Sequence, residues 1–151
     1  HWGTEYQARH NASQEELAVW LASNGVDAIV GAHPHVVQDV GTIAAEYEDG
    51  APKEVPVVYS LGNAVSNQND LPSRLEGCVT LKIVSCRGSA RILPDPGLEF
   101  LWCTKPGMVD EGYSVLPVEE YRDSVSIWKV RSDHRNMMST YGSVKKRIGL
   151  R

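Results

Sequence analysis

Two histidines in the run His33-Pro34-His35 carry the chemistry most legible in this chain. They follow directly on Val26-Asp27-Ala28-Ile29-Val30-Gly31-Ala32, where Ile29 and Val30 are β-branched and Gly31 breaks the run. Such a stretch reads as a buried strand, and open α/β sheets place ligands just beyond the carboxyl ends of their strands. Proline fixes its own φ and biases the residue before it towards an extended shape. The sequence therefore predicts an extended His33 and two imidazoles on a stiff turn. A metal site needs that stiffness, because imidazole nitrogens must meet a cation at roughly 2.0–2.2 Å. The plainer alternative is a strand-ending turn whose histidines only hydrogen-bond the backbone, and spacing alone leaves both readings open.

The chain opens on His1-Trp2-Gly3-Thr4-Glu5-Tyr6 with no methionine, which reads as a fragment or a processed product. His1-Trp2-Gly3 with Glu5-Tyr6, then Gly31-Ala32-His33-Pro34-His35-Val36-Val37-Gln38, then Tyr59-Ser60-Leu61-Gly62-Asn63 follow one another in order. On these motifs the segment from His1 to about Gln68 resembles the bacterial capsule-synthesis proteins of the CapA/PgsA type. That family is linked to poly-γ-glutamate capsules and related to calcineurin-like metallophosphoesterases.

The resemblance implies a fold, a site and a setting. The fold is α/β, the C-terminal half of a metallophosphoesterase-like sandwich of two sheets flanked by helices. Residues 1–116 would belong to that domain and 117–151 to a helical extension. The Gly-x-His-x-His element supplies two metal ligands, which fall on His33 and His35, and a lone earlier histidine supplies another, for which His1 is the candidate. His33 and Asn63 are the candidates for catalytic roles; a turn-forming Gly62-Asn63 pair is the alternative for Asn63. Glu5, if it lies near His1, would orient that imidazole from behind, with a surface role as its alternative. Trp2 is kept with it because it flanks a ligand candidate. The superfamily's Asp-x-His, Gly-Asp and Asn-His motifs have no counterpart here, so the resemblance implies about half of a two-metal centre, binding metal weakly and hydrolysing nothing alone.

A complete centre would clamp a phosphoryl oxygen between two cations and lower the pKa of a bound water. Histidine with carboxylate oxygen suits Mn, Fe or Zn without choosing among them. The partners implied are a phosphoester or an anionic capsule polymer, and the N-terminal half of the same domain; the setting is the cell envelope, outside the cytoplasm. A metal-lined pocket could equally hold polyglutamate carboxylates without cleaving anything. A reading from another class takes His1 as a true N-terminus chelating copper through its amine and ring. The His-Pro-His turn has no purpose in it.

Composition bounds the rest. The chain has 151 residues, enough for one domain with a core. A net charge of −4 with a pI near 5.7 argues against a nucleic-acid surface, and no apolar run reaches the roughly 20 residues that span a bilayer. A missing half-domain would leave apolar surface exposed and favour self-association. Cys78, Cys86 and Cys103 match no zinc or redox spacing and read as buried small hydrophobes. A Cys78–Cys86 or Cys86–Cys103 bridge stays open in an exported protein.

The positioning elements follow from pattern. Ser13 with Glu16 forms a capping box for a helix from about Gln14 to Asn24, with Leu17, Ala18 and Leu21 on one face and Gly25 as its left-handed stop. Asp49-Gly50 turns Thr42–Glu48 back into Val55–Ser60. Cys78–Ser85 alternates as one strand, turned at Arg87-Gly88 into Ala90–Leu93; Leu98–Cys103 and Tyr113–Leu116 read as two more. Val118, Tyr121, Val125 and Trp128 predict a helix to about Val130. Ser132-Asp133 then caps a second, with Met137, Tyr141, Val144 and Ile148 as its stripe. Lys145-Lys146-Arg147 and Arg151 read as favourable charge at a helix C-terminus, His10 and His134 as solvated, Asp27 as structural. The tryptophans at 20, 102 and 128 read as core.

Overall fold

The computed structural model describes residues 1–86 and 88–150, with the side chains of Cys86 and Ser89 left aside. The chain is mixed α/β, with three small sheets and three α-helices among the described residues. The first helix, α1 (Ala12–Ser23), precedes β1 (Ile29–Val30), β2 (Val40–Glu46) and β3 (Pro52–Val58). These strands form a sheet in the order β1-β3-β2, with β1 parallel and β2 antiparallel to β3. The β2–β3 hairpin turns at Gly50, whose φ of 78 is the left-handed conformation that the Asp49-Gly50 signal predicts. Ala18 and Ala22 of α1 pack on Ile29, Val55, Val57 and Tyr59 to form the first core.

The second region begins at β4 (Leu75–Thr80), which pairs antiparallel with β7 (Gly97–Thr104), itself paired with β8 (Ser114–Pro117). A separate hairpin, β5 (Ile83–Cys86) and β6 (Ser89–Ile92), lies between β4 and β7 in the chain. After β8 come the single-turn α2 (Val118–Tyr121) and the long α3 (Arg131–Ile148). Met137, Tyr141 and Val144 of α3 bury against Leu75, Phe100, Trp102 and Leu116. The stripe predicted for this helix is the one that packs, and its core runs across position 116 without a break. The regions join where Gly77 N–H donates to the Leu61 carbonyl at 2.7 Å. No described helix is long and apolar enough to cross a membrane.

Several local expectations are corrected. The cap of α1 is Asn11, which exchanges hydrogen bonds with Gln14. The reciprocal device predicted for Ser13 and Glu16 thus operates two residues earlier, because Gln14 is also needed inside, where its Nε2 donates to Gln38 Oε1 at 2.8 Å. The buried face is Gln14, Ala18 and Ala22; Leu17 faces solvent, and so does Trp20, 59% exposed. The alternating run from Cys78 to Ser85 is two strands in different sheets, since pairing with β7 ends at Thr80. Cys78 is exposed, whereas Cys103 is buried as expected, and both are free thiols. The bridges through Cys86 fall outside the described side chains, as does the residue Arg87 of the predicted turn.

The helix expected to reach Val130 stops at Tyr121, because Ser124 leaves helical space (φ −85, ψ 53). Trp128 reaches the core from a 3₁₀ turn instead, and Val125 stays exposed. Nor does Ser132-Asp133 cap α3: the helix starts at Arg131, and Asp133 in its first turn is fully buried. Lys145, Lys146 and Arg147 do occupy the last turn of α3, closed by Gly149 at φ 78; Arg151 lies outside the described residues. His134 Nε2 donates to the Arg122 carbonyl at 2.7 Å, so it is not simply solvated. Asp27 is structural, pairing with the buried Lys53 Nζ at 2.8 Å.

Candidate metal centre

The site is assembled where β1 ends. Gly31 N–H donates to the Val58 carbonyl at 2.8 Å, and a Cβ at Gly31 would lie 2.2 Å from the Tyr59 carbonyl oxygen and 2.3 Å from the Trp2 indole nitrogen. Only glycine allows that approach, and through it Trp2 Nε1 donates to the Tyr59 carbonyl at 2.7 Å. The opening segment is then laid along the turn: Trp2 N–H donates to the Ala32 carbonyl and Tyr6 N–H to the Pro34 carbonyl. The buried Gln38 amide donates to the Gln7 and Arg9 carbonyls, which holds residues 7–9 against the segment that leads into β2.

This brings Glu5 over the histidines. Ligand atoms of Glu5, His33 and His35 all lie within 4.8 Å of one another, and Glu5 Oε1 stands 3.6 Å from His35 Nε2. His33 and His35 are half-buried while Glu5 is exposed, so the group opens to solvent on one side. The backbone departs from expectation here. His33 is at φ 103, not extended, and His35 is at φ 61; with Tyr6 at φ 60 these are the only non-glycine residues of positive φ among those described. Pro34 stiffens the turn, but the approach of the opening segment, not the proline rule, sets its shape. Residues held in such regions cost roughly 1–3 kcal/mol each and collect at functional sites.

The remaining candidates surround this group. Trp2 lies beneath it, stacked on Tyr59 with ring centroids 5.6 Å apart. The His1 ring packs against that of His33, tilted by 37° with centroids 4.1 Å apart, and stands outside the three converging donors. Glu5 faces His35, not His1, and offers itself as a donor. Asn63 contacts His35 directly, its Oδ1 lying 2.8 Å from Nδ1.

Sequence reasoning missed Tyr6, whose ring stacks on His35 at 5.7 Å and whose hydroxyl accepts from Gln68 Nε2 at 2.9 Å. It also missed His10, read as solvated: its Nδ1 pairs with Asp39 Oδ2 at 2.9 Å and its ring lies flat on Tyr59 at 3.9 Å. Burial, with Glu15 and Asp39 nearby, pushes the Tyr59 phenol up. No periodicity flags these contacts, because every one joins segments distant in sequence.

The donor set fits a single divalent cation. Two imidazole nitrogens and one carboxylate with an open side form the ligand chemistry of mononuclear zinc and iron(II) sites. The 3.6 Å from Glu5 Oε1 to His35 Nε2 is too long for a hydrogen bond. It is close to the roughly 3.4 Å that separates two ligands of one tetrahedral cation at bond lengths near 2.1 Å.

A half-open group of two histidines and one carboxylate on an α/β scaffold is thus what the structure presents as a candidate site. Residues 1–68 match the family model of bacterial capsule synthesis protein PGA_cap. Over 68 residues the chain is 41% identical to the capsule biosynthesis protein CapA of Bacillus anthracis, covering 45% of this chain and 14% of that protein. It is 40% identical to the PGA biosynthesis protein CapA of Bacillus subtilis (strain 168), covering 45% and 16%. The resemblance read from the three motifs is borne out: over residues 1–68 the chain is similar to capsule synthesis proteins of the CapA type. The match spans well under two thirds of either relative. No solved structure matches it significantly.

Proposed function

We propose that this chain contributes a metal-binding unit to capsule biosynthesis in the cell envelope, with Glu5, His33 and His35 holding one divalent cation, Zn, Fe or Mn. The observation that carries the reading is the convergence of those three donors within 4.8 Å, inside the segment that matches the capsule synthesis family. On this reading residues 1–116 form part of a metallophosphoesterase-like sandwich. The rest of that domain is a partner, and the ligand is a phosphoester or the anionic capsule polymer, poly-γ-glutamate. A cation bound there supplies a Lewis acid for an anionic oxygen and a bound water of lowered pKa. The chain's own residues hold and orient: Asn63 Oδ1 meets His35 at Nδ1, Tyr6 stacks on the His35 ring and His1 packs at a tilt against that of His33.

A second reading, a module that binds the polymer's carboxylates without cleaving anything, has its own observation. Among the described residues only one three-donor group forms, whereas two-metal hydrolysis needs ligands for two cations. Calorimetric titration of the purified chain with Zn tests the metal site, and turnover of an aryl phosphate by the protein carrying the whole domain, with Zn, Mn or Fe, separates the two readings. One bound Zn per chain, lost in His33→Ala, supports the metal site; no binding to the native chain overturns it. Turnover abolished by His33→Ala supports the phosphoesterase reading, and binding without turnover supports the module.

A further inference from the structure

We infer that Asn63 is a positioning residue that selects the tautomer of His35, keeping the hydrogen on Nδ1 and leaving Nε2 bare towards Glu5. The inference deepens the metal-site reading, and rests on it for its purpose though not for its geometry. An asparagine amide has one end that donates and one that accepts, and the neighbours decide which way it lies. Asn63 Nδ2 is 3.0 Å from the Ser73 carbonyl, 3.3 Å from the His35 carbonyl and 3.3 Å from Gln68 Oε1. Two of these are backbone carbonyls that can only accept. An amide oxygen turned towards them would face lone pairs, so the NH₂ group belongs there and Oδ1 points the other way.

That oxygen lies 2.8 Å from His35 Nδ1 and can only accept. The hydrogen of a neutral His35 ring is therefore on Nδ1, and the lone pair is on Nε2, the nitrogen 3.6 Å from Glu5 Oε1. A cation binds the nitrogen that carries no hydrogen, and the bond made by the other nitrogen fixes which one that is.

The anchor is rigid. Ser73 is buried, its Oγ donates to the Asp70 carbonyl, and the next residue, Arg74, is clamped by both carboxylate oxygens of Asp133 at 2.7 and 2.8 Å. The second region thereby reaches the site: α3 holds Arg74, the turn before Arg74 holds Asn63, and Asn63 holds the ring.

Imidazole ¹⁵N NMR of the metal-free chain, at a pH well above the ordinary histidine value of about 6.5, reads the tautomer directly. The expected result is His35 protonated at Nδ1; protonation at Nε2 overturns the inference. In Asn63→Ala the preference is lost while the His33 signals stay in place, and Zn affinity falls by roughly 10–100-fold. An unchanged His35 tautomer in that variant also overturns the inference. Asn63→Asp keeps an acceptor at Nδ1 but sets a carboxylate against two carbonyls, so it retains the Nδ1–H tautomer at a lower melting temperature. If variants fail to fold, the native spectrum alone decides. Nδ1–H with no Zn bound sinks the metal-site reading and leaves this inference standing, while Nε2–H with Zn bound does the reverse.

Discussion

Before Gln68 one group of polar side chains, Glu5, His33 and His35, is turned outward and presented; beyond it another, Arg74 and Asp133, is turned inward and clamped. Glu5, His33 and His35 converge at a solvent-open surface on strained backbone. Arg74 and Asp133, with side chains only 3% and 1% exposed, form a two-pronged ion pair. That pair is completed by the Trp102 indole N–H on Asp133 and by Arg74 Nε on the Cys103 carbonyl. The first arrangement leaves its donors open to solvent, and on the proposed reading to a cation. The second leaves none open, and its effect is to lock α3 onto β4 and β7. On the proposed reading, ligand chemistry and fold stability are separated along the chain, and the Asn63 contact with the Ser73 carbonyl is one link between them.

The sharpest way to break this division is Asp133→Ala. It strands a buried guanidinium, and removing one partner of a buried pair costs about 3–5 kcal/mol. Urea unfolding should show a loss of that order. A loss below about 1 kcal/mol, the worth of an exposed pair, would mean that the clamp is solvated and the contrast false.

His33 and His35 give the next effect, of opposite sign to the usual one. Glycine ordinarily destabilises relative to alanine, but at a positive φ the order inverts, because Ala there carries Cβ strain that Gly does not. His33→Gly and His35→Gly should each be more stable than the matching Ala variant by about 1 kcal/mol. All four should lose Zn binding. Equal melting temperatures for Gly and Ala would show that the turn carries no strain at His33 and His35.

The sequence was most informative where one element suffices. The β2–β3 hairpin, β7, β8 and the packing stripe of α3 all follow from local pattern, because turn chemistry and periodicity are properties of neighbours; the strand ahead of His33 is shorter and less buried than expected, only Ile29–Val30 with Val30 exposed. The site was legible as a list of residue types and not as a shape. That Glu5 faces His35, that His1 packs against His33 and that Tyr6 covers His35 depend on how residues 1–10 dock, which involves the buried pair of Gln38 with Gln14, a residue outside the motifs. Asp133 misled for a related reason. A carboxylate early in a helix fits a cap as well as an internal ion pair, and only Arg74, distant in sequence, distinguishes them.

The smallest expected effect lies at the seam. Glu76 sits on β4 where the Gly62–Glu76 bridge joins the regions, and burial holds its carboxyl above the ordinary value. A raised carboxyl binds its proton more readily folded than unfolded. Its burial therefore costs nothing below the ordinary carboxylate value of about 4.3, costs progressively more as pH rises through the raised value, and is constant above it. Glu76→Gln should raise the urea midpoint slightly near neutrality, with the gain fading as pH falls below the carboxylate range. Glu119 offers the contrast: Tyr141 donates to it, with Arg122 adding to the effect, and its carboxyl is lowered. Stability from that contact is present above the ordinary value and is lost as pH falls through the lowered one. Glu119→Gln should therefore cost stability near neutrality and converge on the native midpoint in acid. Two carboxylates whose removal shifts the midpoint in opposite directions under the same buffers would separate a seam that merely tolerates charge from a tail that is held by it. Shifts of the same sign would end that distinction.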